Sequence, residues 1–111
     1  MGKTFIVAEL SANHGHKLET ALASVRAIAE AGVDAVKIQT YTADTMTLNC
    51  NKPDFIVSGG TIWDNTRLYD LYVEAYTPWE WHQAIFNEAK RCGLVCFSTP
   101  FDKTAVDFLE D

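Results

Sequence analysis

The 111-residue chain lacks several features that would assign it a role at once. No apolar run approaches the ~20 residues that a membrane-spanning helix requires. Lys and Arg are scarce, 9 against 15 Asp and Glu, and nowhere clustered; the formal charge is −6. That balance argues against nucleic acid and anionic membrane as partners. The cysteines, Cys50, Cys92 and Cys96, are odd in number and match no zinc spacing. Reduced thiols and a cytoplasmic location are therefore expected rather than disulfides. The polar start Met1-Gly2-Lys3 does not read as a signal peptide. Gly59-Gly60 lacks the further glycines and basic residue of a phosphate loop or dinucleotide motif. What is present is ordinary globular composition, 48% apolar and 22% charged, enough for one domain over residues 1–111.

Hydrophobic periodicity organises that domain. Phe5-Ile6-Val7-Ala8, ending at Glu9, predicts a short strand buried on both faces, as in parallel sheets. Leu18, Ala21, Leu22, Val25, Ile28 and Ala29 recur at helical spacing, predicting a helix over 18–31 with Gly32 as its cap. A second strand is expected over 33–39. Residues 40–65 show no sustained period, and connections of that length are often lids or binding loops. A short helix is expected over 66–75. Thr77-Pro78-Trp79-Glu80 has the pattern of a capping box, predicting a helix from there to Cys92 and a stop at Gly93. Residues 94–98 form the third expected strand, and Asp102 caps a last helix.

Strand–helix alternation implies parallel strands with right-handed crossovers. The predicted fold class is α/β, specifically the N-terminal part of a TIM (β/α)8 barrel with about three strand–helix units. A whole barrel needs roughly 250 residues, so the chain is expected to be a segment of a catalytic domain.

In β/α folds, sites assemble at the C-terminal ends of the strands. Strands alternate faces, so Glu9 shares a side with Val7, and Lys37 with Gln39. If the two strands are neighbours, Glu9, Lys37 and Gln39 converge. A charge placed there needs a partner, a ligand or water, and a plain ion pair is the simplest alternative to a functional role. Asn13-His14-Gly15 lies in the first strand–helix loop, where an exposed turn is the bland expectation. Hydroxyls and backbone N–H groups of Ser98-Thr99-Pro100-Phe101-Asp102 suit an anion at a helix N-terminus, or simple capping. The stretch 63–81 holds six of the thirteen aromatics, best explained by packing. His16 and His82 carry no particular assignment, and no spacing indicates a metal site within the chain.

The segments Phe-Ile-Val-Ala-Glu-Leu-Ser-Ala-Asn-His (5–14), Ala-Gly-Val-Asp-Ala-Val-Lys-Ile-Gln-Thr (31–40) and Phe-Ser-Thr-Pro-Phe-Asp (97–102) resemble the first three strand ends of the sialic acid synthase family. Leu-Tyr-Asp-Leu-Tyr (68–72), Tyr-Thr-Pro-Trp-Glu-Trp-His (76–82) and Asp-Lys-Thr-Ala-Val-Asp-Phe-Leu-Glu (102–110) look most like its pseudaminic acid branch. Where family members often carry an acidic cap before the first helix, this chain has Gly15-His16-Lys17-Leu18.

The resemblance implies a transferase that condenses phosphoenolpyruvate with an N-acetylated amino sugar to a nine-carbon α-keto acid. It implies that Lys37 and Thr99 bind phosphoenolpyruvate and that Glu9 is catalytic. Gln39, Asn13 and His14 are implied as substrate contacts. It further implies a divalent metal, Mn or Mg, whose ligands lie outside this chain, and a homodimer for the full-length protein. The segment alone is expected to be inactive. Two rivals are a Schiff-base aldolase using Lys37, which a neighbouring carboxylate would disfavour by holding the amine charged, and a non-catalytic α/β interaction module.

Overall fold

A computed structural model describes residues 2–111. Three strands, β1 (Val7–Glu9), β2 (Ala35–Thr40) and β3 (Val95–Pro100), form one sheet in the order β1-β2-β3. Both pairings are parallel, with Glu9 beside Lys37, Lys37 beside Phe97, and Gln39 beside Thr99. Five α-helices are described: α1 (Leu18–Glu30), α2 (Ala43–Met46), α3 (Leu68–Ala75), α4 (His82–Arg91) and α5 (Lys103–Glu110).

The expected α/β architecture is therefore present, with parallel strands alternating with helices. α1 and α4 cover one face of the sheet. Their contact with it buries Ala21, Val25, Val36, Ile38, Ile85, Ala89 and Leu94. Each fully buried Val or Ile contributes about 1.5–3 kcal/mol. At its edge Glu88 of α4 accepts from Arg26 of α1 at 3.2 Å and also pairs with Arg91. The Arg91 hydrogen bonds first, then those of Arg26, lower the Glu88 pKa to about 2.

Helix ends follow local chemistry. After α4, Gly93 takes φ +78°, donates to the Lys90 carbonyl, and Leu94 donates to Ala89. These two bonds satisfy carbonyls that the helix leaves open, and the positive φ favours glycine. Asp102 caps α5 as expected, accepting from the Thr104 and Ala105 amides at 3.2 and 3.1 Å. Lys17 stands at the N-cap of α1 and gives it no side-chain cap, where the acidic residue is missing.

Four expectations are corrected. β1 is shorter than expected and not buried on both faces: Phe5, Ile6 and Val7 are exposed, because β1 is an edge strand and, among the described residues, no helix covers its other side. The capping box at Thr77 is not made. A 3-10 turn over Trp79–Trp81 intervenes and α4 starts at His82, while the Thr77 hydroxyl bonds to His14 instead. The connection after β2 is not featureless. It holds α2, capped through Thr42 and Thr45, and a 3-10 turn over Pro53–Phe55. Arg67 then pins it, reaching Asn49 at 2.7 Å and Asn51 at 3.2 Å while pairing with Asp70. Finally, β2 and β3 each start one or two residues later than expected and end one or two later, at Thr40 and Pro100, carrying the ladder further toward the strand ends.

Candidate active site

The sheet face away from α1 and α4 carries Glu9, Lys37, Gln39 and Thr99, because parallel partners in register point to the same side. The Lys37 ammonium lies 3.2 Å from Glu9 Oε2, with both side chains about one-third exposed. Gln39 and Thr99 sit side by side one pleat further along, half-buried. Phe97, beside Lys37, supplies an apolar wall. A fixed cation, an acid, an amide and a hydroxyl thus converge on one open surface. Such a set can hold an anion and manage a proton beside it.

Glu9 has a second partner that periodicity does not reveal. Ser11 donates from Oγ to Glu9 Oε1 at 3.0 Å, and does so from a left-handed backbone, φ +51°. That conformation is uncommon for a residue with a Cβ and costs about 1–2 kcal/mol. The two carboxylate oxygens are thereby engaged from opposite sides, one by Lys37 and one by Ser11.

The first loop divides its candidates. Asn13 is exposed, donates to the Leu10 carbonyl at 3.1 Å, and lines a cleft of about 630 Å³ between this loop and α3. Trp63, Val73 and Glu74 complete that cleft, which does not include Glu9 or Lys37. His14 is fully buried rather than exposed. Its Nδ1 accepts from the His16 amide at 3.0 Å, so Nε2 carries the proton toward Thr77 Oγ1, also at 3.0 Å. Burial, then the neighbouring His16, lowers its pKa. With both ring nitrogens taken, His14 braces the loop against the segment before α4 and does not present itself to the Glu9–Lys37 surface. The reason is packing by Trp81, edge-on at 5.3 Å, which no spacing in the loop itself reveals.

The remaining hydroxyl, Ser98, faces the opposite side from Thr99 and enters the helix layer with Thr40 and His82. Burial raises the nearby Cys96 thiol to about 11, so it is inert at neutral pH. Among the described residues no group of three or more His, Cys, Asp and Glu could hold a metal ion. No helix among them is long and apolar enough to cross a membrane.

Three parallel strand–helix units with polar groups gathered at the strand ends define a segment of a β/α barrel fold. The chain belongs to the NeuB family, whose model matches residues 24–111. It is 56% identical over 108 residues to a pseudaminic acid synthase of Campylobacter jejuni subsp. jejuni, covering 97% of this chain and 31% of that protein. A pseudaminic acid synthase of Helicobacter pylori is 50% identical over 105 residues, covering 95% and 31%. In fold the chain is similar to an N-acetylneuraminic acid (sialic acid) synthetase of Leptospira borgpetersenii, solved in complex with citrate. The TM-score is 0.79 at 23% identity, over 98% of this chain and 33% of that one. The chain spans about a third of the length of these relatives.

Proposed function

We propose that this chain carries the phosphoenolpyruvate side of a synthase making a nine-carbon α-keto acid of the pseudaminic or sialic acid type. The observation that carries this reading is the shared face on which Lys37 meets Glu9 at 3.2 Å beside Gln39 and Thr99. The kinship with pseudaminic acid synthases supports the choice of product.

In this reaction C3 of phosphoenolpyruvate forms a bond to the aldehyde carbon of an open-chain N-acetylated amino sugar. Water adds to C2, the C2–O bond to phosphate breaks, and inorganic phosphate leaves. Lys37 and Thr99 bind the anionic groups of phosphoenolpyruvate, as a charge and an oriented donor. Glu9, held by Lys37 and Ser11, is placed to take a proton or orient the added water. Gln39 and Asn13 contact the sugar. His14 serves from behind, by shaping the loop that bears Asn13. A divalent metal would polarise the sugar carbonyl. The histidines present do not fit it, since both His14 nitrogens are bonded and, among the described residues, no cluster of donors surrounds either His16 or His82. A second copy of the full-length protein completes a homodimer.

Calorimetry with phosphoenolpyruvate, paired with an assay of keto acid formation, tests the reading. The expected result is binding by the chain that Lys37→Ala and Thr99→Val each weaken roughly tenfold or more, with no turnover by the chain alone. Equal affinity of Lys37→Ala and the parent chain refutes the assignment, and turnover refutes the claim of incompleteness.

A further inference from the structure

The helix-facing side of the sheet is apolar along most of its length but not at its end. Thr40, the residue after Gln39, and Ser98, the residue before Thr99, both turn into this layer because side chains alternate along a strand. Thr40 Oγ1 lies 2.6 Å from Ser98 Oγ and 2.7 Å from Nε2 of His82 at the start of α4. Ser98 also reaches the Ile38 carbonyl at 3.2 Å. Thr40 is fully buried and His82 nearly so. The contacts join residues 42 and 58 apart in sequence, on three different elements.

Polar groups in such a layer are costly unless each is bonded, and a bonded set holds its elements more rigidly than apolar packing does. The rest of this layer is apolar, with Val36, Ile38, Val25 and Ile85 at its centre. This polar set lies where the backbone carries Gln39 and Thr99 on its other side. We propose that Thr40, Ser98 and His82 form a clamp behind the sheet that positions Gln39 and Thr99 for an anionic, phosphate-bearing substrate. They are positioning residues, and the substrate part of this inference rests on the function proposed above.

The bonding direction follows from the surroundings. His82 Nδ1 is buried without a hydrogen-bond partner of good geometry, and the carbonyls of Pro78 and Trp79 are nearby. A proton on Nδ1 faces those carbonyls favourably, leaving Nε2 to accept from Thr40. Ser98 then shares its single hydroxyl proton between Thr40 Oγ1 at 2.6 Å and the Ile38 carbonyl at 3.2 Å, and donors run from β3 through β2 to α4. The Phe101 amide donates to the Thr40 carbonyl at 3.2 Å, tying the segment after Thr99 to the same residue.

The test uses the 15N-labelled 111-residue chain with phosphoenolpyruvate as probe. Thr40→Val keeps the shape and removes the hydroxyl; Thr40→Ser keeps the hydroxyl. Thr40→Val is expected to weaken probe binding roughly three- to tenfold and to speed amide exchange at Thr99 and Phe101 by a similar factor. Thr40→Ser is expected to restore both. Ser98→Ala, which leaves the Thr40–His82 contact in place, is expected to give part of the same loss and serves if Thr40→Val does not fold. Unchanged binding and exchange in Thr40→Val, or equal losses in Thr40→Val and Thr40→Ser, overturn the clamp. If the probe moves no resonance of the parent chain, the functional reading falls, and exchange at Thr99 alone decides the clamp.

Discussion

The two faces of the sheet are built from the same strands and behave as different materials. One face, under α1 and α4, has Val36 and Ile38 without exposed surface, packed against an equally buried Ile85 of α4. The other has Val7 at 41%, Phe97 at 40% and Val95 at 54% exposure, interleaved with Glu9, Lys37, Gln39 and Thr99. The first face holds the chain together. The second holds chemistry on a backbone that the first keeps in place. The contrast teaches that stability and function here separate by residue parity along each strand, so single substitutions can address one without the other.

The strongest way to break that comparison is to empty the helix-covered face. Ile85→Ala is expected to cost about 2–5 kcal/mol, since it removes buried methylenes and leaves a cavity. Phe97→Ser, on the open face, is expected to stay within about 0.5 kcal/mol. Urea unfolding of both variants measures the difference directly. Similar losses would mean that the open face is packed in solution and that the two faces are not distinct.

This division was legible from the residues because strand periodicity needs no tertiary knowledge. Glu9, Lys37, Gln39 and Thr99 fall on one side by counting in twos, and neighbouring parallel strands bring them into line. The covered face was equally legible on the α1 side from the three- and four-residue spacing of Ala21, Val25, Ile28 and Ala29. What escaped was everything decided by contacts between distant segments. Thr77 has the pattern of a cap, yet its hydroxyl is worth more to a buried His14 than to a helix end that a 3-10 turn already starts. His82 reads as one more helix residue until Thr40, 42 positions away, is placed against it. Ser11 reads as a loop residue until its φ is known.

A smaller effect sharpens the comparison through pH. The two buried histidines, His14 behind the first loop and His82 behind the strand ends, both belong to the packed side of the molecule. Burial is the main cause lowering each pKa below the ordinary histidine value of about 6.5. The folded chain therefore takes up protons less readily than the unfolded chain. The stability that depends on neutral imidazole is whole above about pH 6.5 and is lost as pH falls through that value toward the lowered ones. Protonated His14 would also turn an N–H against the His16 amide that it now accepts from. Unfolding free energy measured from pH 7.5 to 5 is expected to decline, and His14→Gln is expected to flatten part of the slope. A parent chain whose stability rises over that range contradicts the neutral assignment of both rings.

The finest contrast lies within the open face, at Ser11. Its left-handed backbone costs about 1–2 kcal/mol for an L residue, while glycine there would forgo that strain and pay about 0.5–1 kcal/mol in chain entropy. Ser11→Gly is thus expected to be neutral or stabilising by a few tenths of a kcal/mol, and Ser11→Ala, which keeps the strain, to be no better than the parent. Both remove the 3.0 Å bond to Glu9. If serine is there to hold the carboxylate, both variants leave Glu9 tethered by Lys37 alone, and the Glu9 side chain samples more rotamers. NMR scalar couplings across its χ1 and χ2 report that averaging. Ser11→Gly would then gain stability and lose order at Glu9 at once, the opposite signs that a purely structural serine does not produce. Couplings unchanged in both variants would assign the positive φ to the turn alone and leave Lys37 as the sole group orienting the acid.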